Sequence, residues 1–205
     1  MTDPAPTALR FGAIILAAGA STRLGSPKQL LLVDGQPLVV RAAQAALTAG
    51  AWPVVVVLGA HAELIRPTLA RLPVLTVENS AWPEGMAASI RTGITTLGQF
   101  SRTLDATLIA LCDQPAFNAT VIAQLLAAQH ATGRSIIAAR YNGRHGAPAL
   151  LMRAHFPALA ALTGEAGARE LLNGDAAQVT AVDLPELAHD LDTPADVAAL
   201  RAQGS

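Results

Sequence analysis

Two positively charged side chains, Arg23 and Lys28, stand in the stretch LAAGASTRLGSPKQLL (Leu16 to Leu31), which is otherwise small residues, aliphatics and two glycines. Small residues let successive backbone N–H groups curl around an anion, and a guanidinium and an ammonium beside them would complete a cradle for a phosphate chain. Two other phosphate-binding patterns differ in spacing. The ATPase phosphate loop carries its Lys directly after the second Gly, whereas Ser26 and Pro27 separate Gly25 from Lys28. The dinucleotide turn needs G-x-G-x-x-G, whereas Gly19 and Gly25 lie six apart with Thr22-Arg23-Leu24 between them. An ordinary strand-to-helix connection with a solvated Arg and Lys is the third alternative for the same residues.

Carboxylates supply the complementary chemistry. Asp113 closes the aliphatic run Ala106 to Cys112, so its side chain should emerge at a strand's carboxyl end. A hard carboxylate there suits Mg2+, which takes one or two protein oxygens together with phosphate oxygens and water. The same residue also reads as a turn former before Gln114-Pro115. Asp190 and Asp192 are two apart and share a side if a strand continues through them, so either could supply a second ligand. The segment DTPAD also reads as a helix start, with Thr193 as N-cap, Pro194 in first position and Asp196 completing the box. EGMAAS (Glu84 to Ser89) places Gly85 and small residues at another helix start, from which Ser89 could reach a base or ribose. A plain helix N-terminus with Met86 buried fits that segment equally. The five histidines form no H-E-x-x-H pair, and only His145, in an irregular stretch, stands out. Cys112 reads as a small buried apolar residue.

Positioning these groups requires a sheet. Short aliphatic runs recur at Ala13–Leu16, Val54–Leu58, Val74–Val77, Ala106–Leu111, Ser135–Ala138 and Val179–Leu184, as expected of strands buried on both faces. Helical periods lie between or after them at Leu38–Ala49, His61–Leu72, Met86–Leu97, Asn118–Ala131 and Pro194–Ala202. This alternation predicts an α/β fold with a mostly parallel sheet and helices on both faces, its ligands beyond the carboxyl ends of the strands. YNGRHGAPALL (Tyr141 to Leu151) is the least regular stretch and suggests a turn into an edge strand or a flap.

The 205 residues suit one substantial domain, and 52% hydrophobic with only 3% aromatic residues implies a core of Ala, Leu, Val and Ile. A net charge of −1 lacks the electrostatic footprint of a nucleic-acid binder. The single cysteine excludes an internal disulfide and a cysteine metal cluster, and fits a reducing compartment. No aliphatic run approaches the ~20 residues of a membrane span, and Met1 to Arg10 reads as a loose tail, not a signal peptide. A cytoplasmic protein is expected.

Taken together, Leu16-Ala17-Ala18-Gly19 with Ser21, Arg23, Gly25, Pro27 and Lys28 resemble the nucleotide-binding signature of the nucleotidyltransferases similar to molybdenum cofactor cytidylyltransferase. Trp82 with Glu84-Gly85-Met86 and Ser89, LCDQP (Leu111 to Pro115), GAPAL from Gly146, GEAGAR (Gly164 to Arg169) and DLDTPAD (Asp190 to Asp196) follow in the same order, so the resemblance covers roughly Ala13 to Leu200. The signature loop is shared with sugar-nucleotide pyrophosphorylases, the cytidylyltransferase of isoprenoid synthesis and molybdopterin guanylyltransferase; CDQP with DTPAD narrows the choice.

The resemblance implies a three-layer Rossmann-like domain of the nucleotide-diphospho-sugar transferase kind over residues 11–205, after a flexible tail over residues 1–10. It implies transfer of CMP from CTP to the terminal phosphate of molybdopterin or its molybdenum cofactor, with release of pyrophosphate, in support of a xanthine-dehydrogenase-like molybdoenzyme as recipient. Arg23, Lys28 and Asp113 would be catalytic; Leu16, Ala17, Ala18, Gly19, Ser21, Gly25, Gly85 and Ser89 would bind the nucleotide; Asp113 and Asp192 would hold Mg2+, with Mn2+ as its substitute. Ala18, where guanylyltransferases carry Gly, favours a pyrimidine. Glu165 and Ala147 depart from the family's frequent Asp and His, in places expected near the acceptor. The rival readings are a guanylyltransferase or other nucleotidyltransferase on a different phosphorylated acceptor, a non-catalytic chaperone delivering the molybdenum cofactor, and a nicotinamide- or flavin-using oxidoreductase.

Overall fold

The computed structural model describes residues 9–165, 167–174 and 177–203. Residues 1–8 of the expected tail lie outside the described residues, while Arg10 is tied down, donating from its backbone N–H and its guanidinium to Asp105. Seven strands form one sheet: β1 (Phe11–Ala17), β4 (Val54–Leu58), β5 (Leu75–Glu78), β6 (Ala106–Leu111), β7 (Ile136–Tyr141), β8 (Arg144–Met152) and β9 (Val179–Asp183). Their spatial order is β5-β4-β1-β6-β8-β7-β9, and only β8 runs against the rest.

Alternate residues of the central strands feed two cores, as a strand buried on both faces requires. Ala13, Ile15, Val54, Val56 and Leu108 face α1 (Leu38–Thr48) and α4 (Ala119–Thr132) through Val39, Ala42, Ala43, Val121 and Leu125. Ile14, Leu16, Val55, Val57 and Ile109 face α3 (Met86–Phe100) and α5 (Phe156–Ala160) through Ile90, Ile94, Leu97 and Leu159. Each buried Val, Leu or Ile side chain contributes about 1.5–3 kcal/mol on burial, and the alanines and glycines let the layers approach closely. A Cβ on Gly93 of α3 would lie only 2.5 Å from Ile14 Cγ2. The expected three-layer architecture is present.

Three local expectations are corrected. Tyr141 to Leu151 forms neither an edge strand nor a flap: β8 lies inside the sheet, between β6 and β7. Its proline is tolerated because the register slips there, with Ala138 paired to Ala149 and Ala139 to Gly146, so Pro148 falls where no ladder donor is required. The helix expected over His61–Leu72 is reduced to α2 (Ala62–Ile65) and a 3-10 turn over Arg66–Leu69, since Pro67 has no N–H to extend it. Asp190 and Asp192 are not on a strand, because β9 ends at Asp183 and a 3-10 turn over Pro185–Ala188 follows, so their side chains do not alternate as strand residues would.

A small hairpin of β2 (Leu32–Val33) and β3 (Gln36–Pro37) follows the basic loop; its Asp34-Gly35 turn, both at positive φ, is a readable hairpin signal that escaped the sequence reading. Two short helices, α6 (Arg169–Leu172) and α7 (Pro194–Gln203), complete the chain. Among the described residues, no helix is long and apolar enough to cross a membrane.

Candidate active site

The carboxyl ends of β1, β4 and β6 converge on the basic loop. β1 ends at Ala17, and Ser21 at φ 55° and Gly25 at φ 75° turn the chain so that Lys28 comes back over the sheet. Gly25 has the conformational freedom that this positive φ demands, and no neighbour lies within 4 Å of where its Cβ would stand. The Lys28 N–H donates to Ser21 Oγ at 3.1 Å, closing the loop on itself.

At the mouth of the loop, Lys28 Nζ donates to Asp113 Oδ2 at 2.5 Å and to Asp192 Oδ1 at 2.7 Å. Arg23 Nη2 donates to Asp192 Oδ2 at 2.5 Å from a largely exposed position. Asp113 follows β6, next to β1 in the sheet, and its carbonyl accepts from the Leu191 N–H at 3.1 Å. That backbone bond brings the 190–192 segment, some eighty residues later, against the loop. The sequence-expected residues Arg23, Lys28, Asp113 and Asp192 therefore form one ionic chain. Asp190 stands apart from the ammonium: no ion pair joins it to Lys28 among the described residues.

Electrostatics follow from this geometry. Burial works against the Lys28 charge, but Asp113 and Asp192 overcome it and hold the ammonium above its ordinary pKa. Burial likewise opposes the Asp192 carboxylate, yet Lys28 and Arg23 keep its pKa below the usual carboxylate range. Burial first, and the neighbouring Asp113 carboxylate second, push Asp190 up to about 6. The Cys112 thiol is pushed up by burial, as befits an inert core residue.

The residues also fit a divalent cation. Asp113 Oδ1 is buried without a hydrogen-bond partner, while its Oδ2 shares one ammonium with Asp192. Two carboxylates gathered around one cationic atom, with a spare buried oxygen, are the hard donors that Mg2+ or Mn2+ takes together with phosphate oxygens. Among the described residues no cluster of three or more His, Cys, Asp or Glu could hold a metal alone, so phosphate oxygens and water would complete the shell.

Beside this ionic chain opens a cavity of about 180 Å³ lined by Leu16, Ala17, Ala18, Gly19, Trp82 and Ser89 among others. Ser89 is buried, and its hydroxyl accepts from Asn79 Nδ2 at 3.1 Å, so its own hydrogen is left for another acceptor. Gly85 has φ 104°, and a Cβ there would lie 2.8 Å from Glu165 Cα, so only glycine lets the 164–165 turn close over the start of α3. Met86 is 41% exposed, not buried as the plain-helix reading required. His145 Nδ1 is bonded to the Leu172 carbonyl, and among the described residues no ion pair joins it to the ionic chain. Asp196 accepts from the Thr193 N–H and hydroxyl, the expected cap of α7.

Sequence reasoning missed Gln29, Gly59, His61 and Asn79. Gly59 carried a readable signal, a glycine directly after a strand. A Cβ on it would lie 2.5 Å from the Ala18 carbonyl oxygen and 2.9 Å from Trp82 Cβ. Gly59→Ala is expected to displace the loop and Trp82 together, lowering stability by about 1–3 kcal/mol and nucleotide affinity by about 10-fold. Thermal unfolding and nucleotide titration of the same preparation check both.

Comparison with known proteins agrees with this architecture. The model of the MobA-like NTP transferase domain family matches residues 13–182. Nicotine blue oxidoreductase from Paenarthrobacter nicotinovorans is 35% identical over 88% of this chain and 91% of its own length. The crystal structure of Rv0371c from Mycobacterium tuberculosis H37Rv has a TM-score of 0.79 at 29% identity, covering 97% of this chain and all of that one. A structure of Rv0371c in complex with manganese has a TM-score of 0.72 at 28% identity, covering 93% and 97%.

Proposed function

The chain belongs to the MobA-like NTP transferase family and is a nucleotidyltransferase; from that premise we propose that it transfers CMP from CTP to the terminal phosphate of molybdopterin or its molybdenum cofactor. The observation that carries the reading is the Lys28 ammonium set between Asp113 and Asp192 at the mouth of a loop of small residues. A phosphate oxygen of the acceptor attacks the α-phosphorus in line. One P–O bond forms as the bond to the bridging oxygen breaks, and pyrophosphate leaves with the electron pair. The acceptor oxygen is already largely ionised near neutral pH, so no protein base is needed, and catalysis consists of positioning and charge stabilisation.

The loop backbone and Gly25 seat the phosphates, and Arg23 and Lys28 stabilise the departing pyrophosphate and the charge at the α-phosphorus. Two positive side chains are balanced by Asp113 and Asp192, so the site brings no net charge to neutralise a triphosphate. A divalent cation must therefore accompany the nucleotide. Mg2+, with Mn2+ as its substitute, would be held by Asp113 and Asp192 and would supply Lewis-acid stabilisation of phosphate charge. The manganese complex of Rv0371c supports a divalent cation in this fold. Leu16, Ala17, Ala18, Gly19, Ser21, Gly85 and Ser89 bind the nucleotide. The Ala18 methyl, buried at the cavity wall, narrows the base slot toward a pyrimidine. The product is a cytosine dinucleotide form of the cofactor destined for a molybdoenzyme, made in the cytoplasm.

Pyrophosphate release tests the reading. The purified protein is given Mg2+, molybdopterin or its molybdenum cofactor, and each nucleoside triphosphate in turn. Acceptor-dependent release with CTP alone is expected; release with GTP alone would correct the base, and tight binding without release would support cofactor delivery. A second reading, redox chemistry, is favoured by the name of the 35% identical relative. Nicotine blue offered with NADH or NADPH distinguishes it, since oxidation of the nicotinamide would establish an oxidoreductase.

A further inference from the structure

We propose that Gln29 is a positioning residue that turns the phosphate-binding loop inside out, fixing its carbonyls against the protein and leaving its N–H groups for the triphosphate. The inference rests on the nucleotide-binding reading of the loop given above.

Gln29 is 1% exposed, an unusual place for an amide side chain unless its polar atoms are used. Both hydrogens of Nε2 are used on the loop: one goes to the Ala17 carbonyl at 3.1 Å, the other to the Gly19 carbonyl at 2.8 Å. On the acceptor side, Ser21 Oγ donates to Gln29 Oε1 at 3.4 Å and itself accepts from the Lys28 N–H. The residue next to the site lysine thus grips the loop at three points, and any shift of the loop backbone is coupled to Lys28.

The intervening carbonyls are also drawn inward. Ala18 O accepts from the Ala60 N–H at 3.1 Å, and Ala20 O accepts from His61 Nε2 at 2.9 Å. Four successive carbonyls, from Ala17 to Ala20, are therefore satisfied by the protein. The N–H groups of Gly19, Ala20 and Ser21 donate to no protein group among the described residues. A peptide unit whose oxygen is held on one side presents its N–H to the other, so Gln29, through the Ala17 and Gly19 carbonyls, sets the direction of the Ala18 and Ala20 N–H groups, while Ala60 and His61 set those of Gly19 and Ser21. A loop without that grip could rotate its carbonyls toward the phosphates, and oxygen lone pairs would then face the triphosphate oxygens.

Glutamate has the same shape without the donors, and leucine removes both donors and acceptor. Gln29→Glu and Gln29→Leu are therefore compared with wild type by titration with Mg2+ and inorganic pyrophosphate, and with Mg2+ and CTP, below the thermal midpoint of every variant. Ile122→Val, in α4 away from the loop, serves as a core substitution that weakens packing alone. Both Gln29 variants are expected to lose about 10- to 100-fold in pyrophosphate and CTP affinity, with glutamate the worse because its charge faces two carbonyls, while Ile122→Val keeps wild-type affinity. Where Gln29→Leu does not fold, Gln29→Glu alone decides. Wild-type affinity in a folded Gln29 variant, or an equal loss in Ile122→Val, would overturn the assignment and leave the nucleotide-binding reading standing. Wild-type protein that binds neither probe would overturn both.

Discussion

Lys28→Ala is expected to lower the rate of pyrophosphate release by about 10²-fold or more, as removal of a single preorganised donor does in other sites. Among the described residues the ammonium is the one cationic group set between both carboxylates, at 2.5 and 2.7 Å, and it is held there by a loop whose backbone the same residue closes. Among the described residues nothing nearby replaces it, since Arg23 is largely exposed and pairs with Asp192 and not with Asp113. The substitution has a second expected effect, on stability. Without the ammonium, Asp113 loses its ion-pair partner and Asp192 keeps only the exposed Arg23, which costs about 2 kcal/mol of stability, below the range for a fully buried pair. The same carboxylates, relieved of the ammonium, should attract a divalent cation more strongly. Added Mg2+ is therefore expected to raise the thermal midpoint of Lys28→Ala more than that of wild type, while turnover stays lost. An equal Mg2+ response in both proteins would show that the ammonium and the cation do not compete for these oxygens.

Asp113→Asn should cost about 10²- to 10³-fold in turnover for a different reason. Asparagine keeps the shape and one carbonyl oxygen but removes the charge, and the buried Oδ1 of Asp113 is a spare hard donor. Lys28 keeps Asp192 as a partner, so the protein should fold with a smaller loss of thermal midpoint than Lys28→Ala shows. The Mg2+ concentration for half-maximal pyrophosphate release should rise, and CTP affinity measured without Mg2+ should change little or improve as a negative charge leaves the mouth. A variant with wild-type turnover and wild-type Mg2+ dependence would assign Asp113 to the turn before Gln114 and nothing more.

Much of the fold was legible because its signals are local. Aliphatic runs such as Val54–Leu58 and Ala106–Leu111 coincide with β4 and β6, because a strand buried on both faces tolerates nothing else. Asn118, which accepts from the Thr120 and Val121 N–H groups, marks the start of α4 as an N-cap should. β8 was misread because its sequence advertises glycine and proline, and only the register slip against β7 shows how an interior strand accommodates them. The short helices α5 and α6 carry too few turns to show a period.

What the sequence determined by itself was the chemistry on offer: small residues, an arginine and a lysine behind one strand, a carboxylate behind another, and a pair of aspartates before a capped helix. Residue type and spacing along the chain suffice for that, because each motif lies within a dozen residues. The tertiary structure decided which aspartate joins the lysine: spacing alone left Asp190 and Asp192 as alternatives, the resemblance favoured Asp192, and the Leu191 N–H bond to the Asp113 carbonyl brings that segment to Lys28. It also decided the roles of Gln29 and His61, which are ordinary as residue types, and the contacts of Gly59, whose place behind a strand was readable but whose neighbours were not. Their significance lies in what they meet across the sheet and loop, the Ala17 to Ala20 carbonyls, and such meetings are products of packing that no local pattern encodes.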